Sequence, residues 1–205
     1  MTIQLGKLIL MRKVILVLIL SAKLVMADYR LSDILLEQLP TASTSISFFE
    51  NNQHSVLEWT TDKIKINMLN KTVYSEKNKI KSPFGALQSN QIQYDFNKET
   101  MQFLKEVILE NKDLKLNSEE AYVNLKTSVF IAKNNVIFKY LNKYAKADEA
   151  TYSLNTNKVI FSENVLFKSN EDIAEGDQII FDLNNETILS KGRAKIKVSK
   201  ELLEK

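Results

Sequence analysis

Few side chains of this chain are of a type that supports catalysis, and three aspartates are the most regular among them. Asp62, Asp148 and Asp177 are carboxylates, the type that general acid–base catalysis uses in pairs. The chain has a single histidine, His54, and no cysteine, and neither a histidine nor a nucleophile accompanies the aspartates. Its four glycines are too scattered to form a phosphate-binding loop. We therefore predict that the protein is not an enzyme and holds no cofactor or metal.

The aspartates recur because the chain itself repeats. Strand-like segments return at steps of 28, 28, 30 and 29 residues, anchored on Ile66, Tyr94, Tyr122, Tyr152 and Phe181. A polar residue stands four positions before each anchor: Asp62, Asn90, Ser118, Asp148 or Asp177. An even offset along a strand predicts that this polar group shares the anchor's face, about 13 Å away. A fixed period of this length predicts a unit that stacks on copies of itself around a common core.

The segments between the turns have the composition of β-strands. Asn-rich turns such as 97–99 and 155–157 separate runs rich in Val, Ile, Phe, Tyr and Thr. Strands joined in sequence by tight turns predict an all-β antiparallel meander of about ten strands. The predicted inward-facing side chains are the anchors and nearby apolar residues: Ile66, Tyr94, Phe96, Met101, Tyr122, Val129, Tyr152, Val159, Phe181 and Ile188.

Residues 1–27 have the composition of a secretory signal. Arg12 and Lys13 precede an apolar run at 14–22, and Val25-Met26-Ala27 offers small residues for cleavage. An uncleaved membrane anchor is the alternative, although the uncharged run is shorter than the roughly 20 residues of a membrane span. Met11 is an alternative start. We predict a lead-in segment at 28–55, a β domain at 56–198 and a tail at 199–205.

The leader segment also accounts for the basic character of the chain. The formal net charge is +3, and removal of the four positive charges in 1–27, which holds no acid, leaves −1 for residues 28–205. The sequence pI of about 8.8 therefore does not indicate a nucleic-acid partner, and we predict none.

The repeats resemble those of the OstA-like proteins of lipopolysaccharide transport. The segment 173–182 is similar to a strand of that family, and the copy before it runs from 147–152 to Glu163-Asn164-Val165. The resemblance covers residues 58–198. The family has Gly before Asn-Val; Gly192 keeps this glycine, whereas the other copies have Glu106, Asn134 or Glu163.

This resemblance implies an open β-jelly roll whose apolar interior holds the acyl chains of lipid A. The inward-facing residues named above would then be lipid-binding residues. The expected partners are lipopolysaccharide, neighbouring jelly-roll proteins that pair through their edge strands, and further copies of this chain. The layout resembles the family's periplasmic bridge component, which has a cleaved leader. The family's inner-membrane component with an uncleaved anchor is the second choice.

Other interpretations remain at this point. An outer-membrane β-barrel has alternating strands of similar length, but the strand from Lys158 to Lys168 carries polar or charged side chains on both faces. A structural surface protein without a lipid ligand is a further alternative. The lysines at 77, 79 and 81 and at 139, 143 and 146 are either phosphate-binding groups or groups that keep a strand edge unpaired. We favour the second role for them.

Overall fold

The computed structural model describes residues 44–50, 53–67, 69–82, 85–153, 155–170 and 172–198. The predicted leader at 1–27 and the predicted tail at 199–205 lie outside them. The described chain forms twelve strands: β1 (Thr44–Glu50), β2 (Gln53–Thr61), β3 (Lys63–Asn67), β4 (Thr72–Ser82), β5 (Gly85–Asp95), β6 (Thr100–Glu110), β7 (Leu114–Asn124), β8 (Val129–Tyr140), β9 (Lys143–Ser153), β10 (Lys158–Ser169), β11 (Asp172–Asp182) and β12 (Thr187–Lys197).

The strands form one antiparallel sheet in chain order. β2 and β3 both pair with β4, because they are two halves of one strand interrupted at Asp62. β1 and β12 lie at the two ends of the sheet, which does not close on itself. This confirms the predicted all-β antiparallel meander. β1 and the first residues of β2 fall within the predicted lead-in segment, where Ser45-Ile46-Ser47-Phe48 alternates as strand residues do.

A line of bulges crosses the sheet near the middle of its strands. Leu104 pairs with Glu120 and Val107 pairs with Ser118, so β6 has one residue more than β7 between these pairs. The register shifts in every pair from β5–β6 to β11–β12. Left-handed backbone accompanies the bulges at Lys105, Glu106, Asn134, Asn135, Glu163, Asn164 and Gly192, and it also occurs at Lys77 of β4, where the register does not shift. Bulges turn the strand, and we call this line the bend.

Polar side chains of one strand bind the bulge residues of the next strand on the outer surface. Asn164 donates to Asp148 at 2.6 Å, and Asn90 donates to Glu106 at 3.0 Å. At the two ends of the line, Lys77 forms an ion pair with Asp62 at 2.9 Å, and the backbone N–H of Arg193 donates to Asp177 at 3.3 Å. In the middle, Asn135 donates to Glu119 at 2.6 Å. The recurring polar residues therefore hold the bend.

The prediction that these polar residues share the face of the anchors was wrong. In β5 the buried positions are Leu87, Ser89, Ile92 and Tyr94, so the alternation skips one residue at the bend. Asn90, four residues before Tyr94, is consequently exposed while Tyr94 is buried. The even-offset rule holds only along an uninterrupted strand.

The strands fold back at the bend, and the sheet forms two layers that pack face to face. Phe161 and Phe167 lie on either side of the bend in β10, yet their ring centroids are 6.1 Å apart. Six residues of a straight strand would separate them by about 20 Å. Phe138 of β8 also contacts Phe161, with ring centroids 5.3 Å apart. The core therefore lies between the two halves of the same strands.

Replacing Phe161 with alanine tests this packing. Phe161 is fully buried between aromatic rings of the opposite layer, so we expect Phe161→Ala to lower the free energy of unfolding by about 3–5 kcal/mol. Ile160→Ala is the matched control, because Ile160 is the preceding residue and is only half-buried. Urea denaturation measures both. Equal losses for the two variants would contradict face-to-face packing.

The bend leads to a second prediction: substitutions at two of its left-handed positions should change the stability of the protein in opposite directions. Glu163 is exposed and has a φ of 66°, so we expect Glu163→Gly to stabilise the protein by up to about 1 kcal/mol. Gly192 has a φ of 82°, and an added Cβ would lie 3.0 Å from Asp177 Oδ2. Gly192→Ala should destabilise the protein by about 1 kcal/mol. The control is Glu175→Gly in β11, where loss of the side chain should destabilise the strand. Thermal unfolding of the three variants measures whether each substitution raises or lowers the stability.

Candidate functional site

The candidate site is the space between the two layers, and two rows of residues that pair across the strands run along it. The first row runs across ten strands near one margin of the sheet: Ile66, Val73, Tyr94, Met101, Val123, Phe130, Tyr152, Val159, Phe181 and Ile188. The second row lies near the opposite margin: Trp59, Ile80, Leu87, Leu109, Leu116, Phe138, Ala145, Phe167, Ala174 and Ile196. Both rows are apolar, apart from the ring substituents of tyrosine and tryptophan.

Most of the sequence-predicted site residues lie in the first row. Tyr94, Met101, Tyr152, Val159 and Phe181 are buried there. Ile66 belongs to the row by its backbone pairing with Val73. Ile188 is 41% exposed, because β12 is the last strand of the sheet.

Phe96 lies just beyond the row and packs edge-on against Tyr94, with ring centroids 4.7 Å apart. Burial, together with the negative charges of Glu99 and Asp95, raises the pKa of Tyr94 to about 12. This phenol is therefore uncharged at neutral pH. The first row thus presents no charge at this end of the interior.

The structure does not bring Tyr122 and Val129 into this row. Each lies one residue away from a row member, Val123 or Phe130, and strand alternation places it on the outer face. The Tyr122 hydroxyl donates to Glu120 at 2.8 Å and accepts from Gln102 at 3.0 Å. The true steps from Tyr94 to Val123 and on to Tyr152 are equal. The predicted anchor of the third repeat was therefore one residue too early.

The two rows meet between the layers and fill the interior with side chains. Phe167 of the second row and Phe181 of the first row have ring centroids 5.6 Å apart. The small side chains of Ala121, Ala132 and Ala150 in neighbouring strands leave room for the large rings. Phe103, Phe130, Phe138, Phe161, Phe167 and Phe181 are all fully buried. The described interior is therefore closed, and an acyl chain can enter it only if the layers move apart.

The interior near β2 and β4 is polar, which was not predicted from the sequence. Asn78 Oδ1 accepts from Trp59 Nε1 at 3.0 Å and from Ser75 Oγ at 2.6 Å. Thr61 and Ser89 donate to backbone carbonyls beside the bend, at Lys63 and Gln91. Buried polar groups are stable only when they are paired in this way. These polar groups lie near the bend, whereas the first and second rows on either side of it are apolar and continue towards β12.

A buried lysine lies at the margin where the layers meet near β12. Lys143 Nζ is 2.8 Å from Glu186 Oε2 and 3.3 Å from Asn142 Oδ1, and it lies 5.7 Å from the ring centroid of Phe181. The neighbouring Tyr140 ring is 6.2 Å from that of Phe181. Burial, together with the charges of Glu186 and Asp113, raises the pKa of Tyr140. No local sequence pattern indicates this contact, because Lys143 and Glu186 are 43 residues apart.

Two absences can be stated for the described residues. No three His, Cys, Asp or Glu side chains among them are grouped closely enough to hold a metal ion. None of the described segments forms an apolar helix of the length that spans a bilayer.

Comparison with known proteins agrees with this geometry. Residues 86–187 match the family described as "LptA/(LptD N-terminal domain) LPS transport protein". No curated protein matches the chain. The fold is similar to that of LptH from Pseudomonas aeruginosa, the LptA-homologous periplasmic component of its lipopolysaccharide transport device. That match has 11% sequence identity and a TM-score of 0.50, and it covers 55% of this chain and 93% of LptH. Over residues 86–187, this chain therefore carries a domain of the LptA-like family of lipopolysaccharide transport proteins.

Proposed function

We propose that this protein binds lipopolysaccharide by its lipid A acyl chains and carries it across the periplasm as part of a bridge between the membranes. The observation that carries the proposal is the continuous apolar interior, which is lined by the first and second rows from β5 to β12. The acyl chains lie between these rows, and the sugars and phosphates stay outside. The protein contributes no covalent chemistry.

The architecture allows the layers to part without breaking the pairing between strands. In the part of the chain that the structure describes, the strand-to-strand pairing runs along the sheet, and the layers are joined at the bend and by side-chain contacts. Opening the margin opposite the bend therefore separates side chains and leaves the backbone hydrogen bonds intact. Because a bulge already interrupts the regular ladder at the bend, small backbone rotations there change the angle between the layers.

The energetics favour exchange over permanent capture. Burial of an acyl chain with about ten methylenes is worth roughly 8 kcal/mol. Parting the layers removes Phe138, Phe161 and Phe167 from contact with one another, which offsets much of this gain. Acyl chains then restore the lost contacts. A lipid that replaces existing contacts is released more readily than one that fills an empty cavity, as a carrier requires.

The free edge of β12 supports the proposed pairing with neighbouring jelly-roll proteins or with further copies of this chain. Among the described strands, β12 pairs only with β11, and Leu189 and Ile196 are 56% and 63% exposed. An added strand would bind the free N–H and C=O groups of this edge by sheet extension. Its side chains would cover the exposed apolar residues.

Photocrosslinking tests the proposed lipid site. A photoreactive phenylalanine analogue at Phe181, Tyr152 or Val123 should capture lipopolysaccharide, because these side chains face the interior. The analogue at Tyr122 is the matched control, since Tyr122 is adjacent to Val123 on the outer face. We expect capture to fall to background there, as detected on gels with an antibody to lipopolysaccharide. Similar capture from Val123 and Tyr122 would contradict a lipid site in the interior, and crosslinks to protein alone would favour the structural surface protein.

The mature N-terminus separates the two forms of the transport function. The LptA-like bridge has a cleaved leader, whereas the LptC-like alternative keeps an inner-membrane anchor. We propose cleavage after Ala27, so the protein isolated from the periplasm should begin at Asp28. Intact mass spectrometry of the protein expressed from its full sequence measures this. A mass that retains the apolar run at 14–22 would instead support the anchored component.

A further inference from the structure

The ion pair between Lys143 and Glu186 joins the two layers at the margin that must open. Lys143 begins β9 and pairs with Tyr140 and Ser169 on one layer. Glu186 lies in the turn between β11 and β12, next to the first row of the other layer. The Lys143 side chain is only 7% exposed, whereas that of Glu186 is 38% exposed. The cation is therefore held inside the margin, and its carboxylate partner stands at the surface.

The repeat provides an internal comparison for this pair. The positions 29 residues earlier hold Leu114 and Asn157. Leu114 is 4% exposed and pairs with Tyr140, as Lys143 does from the other side. Asn157 accepts from the Tyr152 hydroxyl at 2.9 Å and donates to Asn184 at 2.9 Å. The fold thus accommodates a leucine at this place, and packing alone does not require a lysine.

A buried lysine is unfavourable unless its charge is paired. Removing a charge from water costs several kcal/mol, so a buried ion pair is weak evidence for added stability. The contacts around Lys143 supply such partners, because Glu186, Asn142 and the face of Phe181 all lie against Nζ. When the layers part, Glu186 moves away with its own layer. The ammonium is then left beside the opening without its carboxylate.

We propose that Lys143 is an exchange site for an anionic phosphate group on the lipid. This inference rests on the proposed function, and it gives the same site a preference for phosphorylated lipids. In the closed state Nζ of Lys143 binds Glu186 and holds the margin near β12 shut. In the open state it binds a lipid phosphate at the point where the head group leaves the interior. In each state the ammonium of Lys143 has one anionic partner. The ion pair with Glu186 therefore acts as a latch, which opens when the lipid phosphate takes the place of Glu186.

The test compares the affinities of the full mature protein for lipid A with two phosphates and for the same lipid A with its phosphates removed. The wild-type protein should prefer the phosphorylated lipid by about tenfold, the size of one charge-assisted hydrogen bond. Lys143→Leu copies the residue of the preceding repeat and should abolish this preference. Lys143→Arg should keep most of it. Lys133→Met is the matched control. Lys133 also forms an ion pair, with Glu149 at 3.0 Å, but both of these side chains are more than one-third exposed.

A second variant separates lipid recognition from stability. Glu186→Gln weakens the latch but retains the ammonium, so we expect faster lipid uptake in stopped-flow experiments with an unchanged preference for phosphate. Inorganic phosphate alone should not bind, since Lys143 is covered until the layers part. If Lys143→Leu binds both lipids with the wild-type ratio, or if Glu186→Gln loses the preference, the latch inference is overturned. If the wild-type protein binds neither lipid, the proposed function itself fails.

Discussion

The left-handed backbone at the bend is the constraint on which the rest of this structure depends. A straight sheet of twelve strands would expose one apolar face over its whole length, and such a face is unstable in water. Bulges at the same height in successive strands let the sheet cover this face with its own second half. Paired left-handed residues such as Asn134 and Asn135 cost conformational energy. Hydrogen bonds from the preceding strand, such as that between Glu119 and Asn135, offset part of this cost.

Packing a sheet on itself has a consequence for ligand binding. The halves of each strand are connected at the bend but not at the margin, so a change of angle at the bend moves the first and second rows furthest apart. The large rings of Phe167 and Phe181 meet there, and Lys143 and Glu186 close the outermost contact. The polar network around Asn78 holds the other end of the sheet with directional hydrogen bonds. The apolar end, where contacts are mostly non-directional, is the part of the interior best able to open.

The sequence predicts the architecture because the repeat is carried by side chains that pack. Anchors such as Tyr94 and Tyr152 recur in the strands, and their pairing partners Met101 and Val159 follow at a constant distance. The third repeat misleads because Tyr122 resembles the other tyrosines, although its hydroxyl bonds to Glu120 on the outer surface. A tyrosine is compatible with either face, since it has an apolar ring and a polar end. The aromatic type alone therefore cannot fix the register to a single residue.

Other features were out of reach of the sequence for physical reasons. The bulge residues are mostly lysine, glutamate and asparagine, so no run of glycines indicates where the strands turn. A bulge also shifts the alternation, which moves a polar residue such as Asn90 from the predicted inner face to the outer one. The contact of Lys143 with Glu186 depends on how far the layers fold over, and this distance is set by all the bulges together. A lysine that the sequence alone assigns to a solvent-exposed strand edge can therefore be buried in the fold.

The last strand, β12, has the features of an edge that a partner protein can extend. Ile188 and Ile196 continue the first and second rows, but no described strand covers them from the side of β12. Lys191, Arg193, Lys195 and Lys197 are exposed along the same strand, and such charges discourage random pairing of sheet edges. A partner that supplies matching acidic groups and continues both rows would bury the two isoleucines and neutralise the lysines. Under the proposed function, the apolar interior then runs from one protein into the next without a polar barrier, and a lipid passes between them without exposing its acyl chains to water.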